Sequence, residues 1–252
     1  MSLDKTCSAR SASEANPISI MSSITTQTTV GEIVRARPGR SRIFEKLGID
    51  YCCGGKKPLA ELCQAKGLDP ATVVAMLSAF DGAPETSAPD PDAMSLAALC
   101  EHIERVHHDP LREELSRLDF LTRKVAAVHG DHEPRLVELR KVFMEFNAAM
   151  SSHTDEEESQ IFPAIRQLES AGYVKGNGSS LKASLDKLES EHDRVGAALV
   201  QIRALTDNHT SPEWACNTFR ALYDALAGLE QETHQHIHKE NNVLFPRALA
   251  VA

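Results

Sequence analysis

Hydrophobic residues recur at the spacing of helix faces along most of the chain after residue 28, and no segment alternates convincingly as a half-buried strand would. From Ser95 onward the pattern predicts four long helices, at about Ser95–Val128, Glu133–Ser170, Leu181–Leu205 and Pro212–Ala248. Leu, Ala, Glu and Arg, all strong helix formers, fill them. The stretch AGYVKGNGSS reads as the loop before the third, and Ser211-Pro212 as a cap with a first-turn proline opening the fourth. Four long helices with connecting loops predict an up-and-down four-helix bundle over residues 95–252.

Upstream the periods are shorter. Ile43, Phe44 and Leu47 share a helix face that Gly48 should stop, and Asp69 caps a second helix that opens at Pro70 and carries Val73, Val74 and Leu77. Residues 28–80 therefore read as a small helical domain. Pro84, Pro89 and Pro91 mark 81–94 as a linker, and the Ser/Thr-rich residues 1–27 read as a disordered leader, with Met21 as an alternative start. The fold class expected is all-α.

Composition narrows the function. With 42% hydrophobic and 25% charged residues the 252-residue chain is an ordinary globular protein, and no run approaches the roughly 18 apolar residues of a membrane span. A net charge of −9 argues against nucleic-acid binding. The charge is unevenly shared: residues 28–80 hold eight Lys/Arg against five Asp/Glu, and residues 81–252 seventeen against twenty-nine. Six scattered cysteines do not make a disulfide framework, so a reducing, cytoplasmic setting is expected.

The eleven histidines all lie between His102 and His238. Two of them open matching motifs, His153-x3-Glu157-x3-Ile161-Phe162-Pro163 and His236-x3-Glu240-x3-Leu244-Phe245-Pro246. Residues four apart share a helix face, so each motif aims one imidazole and one carboxylate at a common point. The prolines should kink or end their helices. The motifs are 83 residues apart, and the same offset carried back from His192, the one histidine of the third helix, falls beside His108. His108 is the closer match, and His107, one residue away, stays open as a competitor.

Four imidazoles and two carboxylates exceed one four-coordinate zinc. Shared between two metals, they give each ion two His with Glu157 and Glu240 as bridges, the donor type that non-haem iron uses. A carboxylate-bridged centre of two iron ions is expected. Glu156 and Glu158 read as a solvated acidic run, and His102, His129, His132, His209, His234 and His238 as surface residues or supports of the site. Adjacent Cys52 and Cys53 normally point apart, which suits an exposed redox or metal-handling thiol site whose pKa Lys56 and Lys57 would depress, with buried structural cysteines as the competing reading; Cys63, Cys100 and Cys216 read as packing.

The segment GIDYCCGG ahead of a bundle with EHD and H-x3-ENN-x-LFPRAL resembles the repair-of-iron-centres family of ScdA/YtfE type, over residues 28–252. The resemblance implies a haemerythrin-like di-iron protein that restores iron–sulfur clusters damaged by nitrosative or oxidative stress, by supplying iron rather than as a conventional enzyme. It assigns His108, His153, Glu157, His192, His236 and Glu240 as iron ligands and gives Cys52 and Cys53 a part in assembly or thiol chemistry. The partners it implies are damaged iron–sulfur proteins, with nitric oxide or O2 as small ligands and a homodimer within reach; a nitric-oxide scavenger or sensor and an NO- or O2-reducing enzyme are the competing readings. Pro110, so close behind His108, should disturb that helix.

Overall fold

A computed structural model describes residues 24–81, 90–171 and 178–252. Most of the expected leader, the middle of the expected linker and most of the AGYVKGNGSS loop lie outside them, as does Met21. Among the described residues there is no strand, only an isolated bridge between Thr29 and Pro58.

Four short helices come first: α1 (Val30–Ala36), α2 (Ser41–Leu47), α3 (Leu59–Ala65) and α4 (Pro70–Asp81). Local chemistry sets their ends. Thr29 and Glu32 form a reciprocal capping box on α1. Gly48 stops α2 with φ 64°, a left-handed conformation that glycine adopts without steric cost. Asp69 caps α4 through the N–H and hydroxyl of Thr72. Val30, Ile33, Phe44, Tyr51, Leu59, Cys63 and Leu77 fill the core of this unit. The Ala60 N–H bonds to the Thr26 carbonyl, which ties residues just ahead of α1 to the same unit.

The bundle follows as α5 (Leu96–Ile103) and α6 (Asp109–His129), α7 (Arg135–Glu156) and α8 (Phe162–Ala171), α9 (Gly178–Leu205), and α10 (Asn217–Lys239) and α11 (Phe245–Val251). Its four long rods are α5–α6, α7–α8, α9 and α10–α11. Three of them are joined across one π-helical turn, at Glu104–His108, Glu157–Ile161 and Glu240–Leu244. In each, an N–H bonds back five residues: Asp109 to Glu104, Phe162 to Glu157 and Phe245 to Glu240. Pro110, Pro163 and Pro246 stand just after these turns. A proline ring collides with the carbonyl four residues back in a regular helix; here that carbonyl lies inside the wide turn, so each rod continues through its proline instead of ending there.

The fourth rod opens at Asn217, after Cys216, and not at the expected Pro212. Residues 212–215 form a turn whose carbonyls accept from the Arg220 guanidinium, which uses up the backbone groups an earlier helix would need.

Two apolar cores divide the bundle lengthwise. One gathers Leu99 and Ile103, Phe162 and Ile165, Leu185 and Leu188, and Leu244 and Phe245. The other gathers Leu115 and Leu118, Phe143 and Phe146, Val195 and Leu199, and Phe219 and Leu226. The four rods traverse the two cores in alternating order, which is the up-and-down topology. Between the cores lies a polar layer, and its occupants are the histidines and glutamates of the repeat.

Candidate metal centre

In α9 the spacing of buried positions is unbroken: Leu181, Leu185, Leu188, His192, Val195, Leu199 and Ile202. His192 takes a core slot of this stripe, so helical periodicity alone points its imidazole inward. His108 comes from the π turn before α6, His153 and Glu157 from the end of α7 and the turn behind it, and His236 and Glu240 from the matching place in α10. All six are buried.

The structure brings these six together as two clusters, His108/His236 and His153/His192, each completed by Glu157 and Glu240. The facing Nε2 atoms lie 2.9 Å apart in the first pair and 2.8 Å in the second. Two ring nitrogens each about 2.1 Å from one ion sit about 3 Å apart when they occupy adjacent positions around it. Each carboxylate spans both clusters. Glu157 places Oε2 3.5 Å from His108 and Oε1 3.4 Å from His153. Glu240 places Oε1 2.8 Å from His236 and Oε2 3.3 Å from His192. Both oxygens of Glu157 and Oε2 of Glu240 are buried without a hydrogen bond. Such orphaned acceptors are costly unless a cation meets them, so the donor set fits two metal ions.

Outward-facing partners fix three rings. The Nδ1 atoms of His108, His153 and His192 lie 2.8, 2.9 and 2.8 Å from Glu158, Glu191 and Asn241. An oxygen there keeps a proton on Nδ1 and turns Nε2 toward the clusters. Glu158 is thus a support of the centre, held in turn by Arg112, and the expectation of a purely solvated run is corrected for it. Glu156 does face outward, pairing with Lys187. His107 is buried outside both clusters: its ring stacks 5.5 Å from that of His236, and its Nε2 accepts from the Lys239 ammonium at 2.7 Å.

Electrostatics follow from the burial. Burial and the Glu240 charge push the Glu157 carboxyl up. Glu240 is held well down: burial opposes its charge, but His236, His108 and His192 outweigh that. For His153, burial is overcome by Glu157, which lifts the imidazole to about 10; burial takes His236 down to about 3.

The cysteine turn lies against the bundle. Cys52 is buried and Cys53 half-buried, their sulfurs 3.8 Å apart and on one side of the chain. Asp50 folds this turn, accepting from the N–H groups of Cys52, Cys53 and Gly54 and from the Cys52 thiol; the Asp before a Gly-containing turn was its signal in the sequence. The hydrogen bond to Cys53, burial and Asp50 raise the Cys52 pKa well above the usual thiol range. The expected depression by lysines fails because Lys56 and Lys57 reach Glu189 and Glu61 instead. Cys63 and Cys100 are packed in cores, whereas Cys216 is exposed, 3.4 Å from His129.

The comparisons agree with this architecture. Residues 101–248 match the haemerythrin HHE cation-binding domain, and residues 26–81 match ScdA_N, described as a domain of unknown function. A protein named iron-sulfur cluster repair protein YtfE, from Escherichia coli, is 37% identical over 88% of this chain and 96% of its own length. Proteins named iron-sulfur cluster repair protein ScdA are each 32% identical, over 89% of the chain and 99% of the relative in Staphylococcus epidermidis, and over 88% and 98% in Staphylococcus haemolyticus. The chain belongs to the ScdA/YtfE family. Its haemerythrin-like domain is of a cation-binding kind, and this ScdA/YtfE member carries two buried His/Glu clusters able to hold a metal ion. Among the described residues no helix is long and apolar enough to cross a membrane.

Proposed function

We propose that this chain is a di-iron protein that repairs iron–sulfur clusters damaged by nitrosative or oxidative stress, with ferrous iron as the cargo it hands over. The observation that carries the reading is the bridging arrangement: Glu157 and Glu240 each offer one oxygen to the His108/His236 pair and one to the His153/His192 pair. The relatives, iron-sulfur cluster repair proteins ScdA and YtfE, supply the repair role.

In this reading His108, His153, Glu157, His192, His236 and Glu240 hold two iron ions. Bound iron would supply a transferable ferrous ion and open coordination positions, since two His and one oxygen from each of two carboxylates fill only part of its sphere. The protein does the rest. Glu158, Glu191 and Asn241 orient the imidazoles. The carboxylates offset the ions' charge, and the apolar cores on either side limit water. No thiolate enters the six-residue set, so it suits ferrous iron without the closed, tight grip of a cysteine cage.

The test is to load the protein with two ferrous ions per chain and mix it with an iron–sulfur enzyme inactivated by nitric oxide. Recovery of activity matched by loss of iron from this protein is expected. No recovery with fully loaded protein, or full iron retention with tight nitrosyl formation, would overturn donation in favour of a nitric-oxide-binding role.

A further inference from the structure

The turn that carries Glu240 continues with two asparagines that face in different directions. Asn241 accepts from His192 within the centre. Asn242 points to the N-terminal unit, where its amide donates to the carbonyls of Cys52 at 3.1 Å and Tyr51 at 3.4 Å. His238, one helical turn earlier, also reaches the Tyr51 carbonyl at 3.3 Å and the Asn242 amide at 3.2 Å. The seat for this amide is tight. A Cβ on Gly31 would come within 2.5 Å of Asn242 Oδ1, and one on Gly55 within 2.2 Å, so two glycines of the N-terminal unit leave room for that one side chain.

Three consecutive residues of one π turn thus address three things: a bridging carboxylate, the orientation of an imidazole and the backbone of the cysteine turn. π turns inside longer helices recur at functional sites. The Cys53 sulfur faces α9 close to Gly196, beside a cavity of ≈ 300 Å³ lined by Asp50, Asp193 and His234. Reagents approaching from that cavity meet Cys53 first, because Cys52 is buried.

We propose that Asn242 is a positioning residue that couples the cysteine turn to the metal centre, so that filling the centre and the reactivity of Cys53 depend on each other. This rests on the reading of the six buried residues as a metal centre. Metal held by the six buried residues would restrain this turn through Glu240, and Asn242 would pass that restraint to the Tyr51–Cys52 backbone. Coupling of this kind is reciprocal: whatever the metal does to the cysteine turn, a change at the cysteine turn does to metal affinity.

The test follows alkylation of Cys53 by iodoacetamide, read by peptide mass spectrometry, in the full chain with and without two ferrous ions under anaerobic conditions. In the unaltered protein loading should slow Cys53 alkylation about fivefold or more, the low end of usual coupling. Asn242→Ala should bring the ratio of the two rates close to one while two ions still bind. Lys56→Ala, which removes the separate contact with Glu189, should leave the ratio intact. Asn242→Ser serves if the alanine variant does not fold. A ratio near one in the unaltered, fully loaded protein, or an unchanged ratio in the folded Asn242 variants, would overturn the coupling alone. Failure to bind metal, seen by metal analysis of the same samples, would overturn the reading of the centre and the coupling with it.

Discussion

The two halves of the centre are built alike and supported differently. His108/His236 and His153/His192 share both carboxylates and nearly the same nitrogen spacing. In the His153/His192 half both imidazoles are braced at Nδ1, by Glu191 and Asn241. In the other half Glu158 braces His108, while His236 lies against the ring of His107. The rods differ too: α9 presents His192 from a regular helix, whereas His108 ends a π turn just ahead of a proline. The sequence repeat therefore governs the six clustered residues and not what surrounds them. Duplicated His and Glu residues meet at one point by helical periodicity, but their supports come from whichever neighbouring helix passes behind.

The largest effect expected is on the parts the halves share. Glu157→Leu or Glu240→Leu should cut bound metal well below two ions per chain by plasma emission analysis, whereas His153→Ala should spare an ion in the His108/His236 half. Equal loss of both ions in His153→Ala would break the picture of two separable halves.

Next come the supports. Glu191→Gln and Glu158→Gln should each weaken metal binding about 10–100-fold, as loss of a carboxylate behind a ligating imidazole typically does. Competition with a chelator should place the loss mainly in the His153/His192 half for Glu191 and in the other half for Glu158. If both variants weakened the two ions equally, the supports would not be local.

A smaller effect concerns protons. In the metal-free protein His153 is raised to about 10, and His108 is raised as well: burial works against its charge, and Glu240, Glu157 and Glu158 more than offset this. His153 therefore carries an extra proton at pH 7 that a metal must displace, and His108 is shifted in the same direction. Binding strengthens as pH rises and weakens as it falls, and filling the His153/His192 half should release about one proton, since imidazole binds metal only in its neutral form. Calorimetric titrations in buffers of different ionisation heat measure this directly; no proton release would contradict the charge assignment.

Much of this was legible in the chain. The four rods follow from apolar spacing, and the six clustered residues from the His-x3-Glu repeat and its offset to His108 and His192. What stayed hidden involves contacts across helices or departures from regular turns. Glu158 lies one residue past Glu157, about 100° around a regular helix, so nothing in its own segment points to His108 on a neighbouring rod. Proline reads as a stop, and only the π turns let the rods pass Pro110, Pro163 and Pro246. The lysines beside Cys52 and Cys53 look like thiol activators until the fold offers them carboxylates. Asn241 and Asn242 follow Glu240 with no spacing signal of their own, and their two directions appear only once the N-terminal unit is docked.

The most direct test of the central claim is metal analysis of purified, anaerobically reconstituted protein together with its near-ultraviolet spectrum. Two iron ions per chain, with the absorption of a carboxylate-bridged centre after oxidation, are expected. No iron, or a single zinc, would contradict the account.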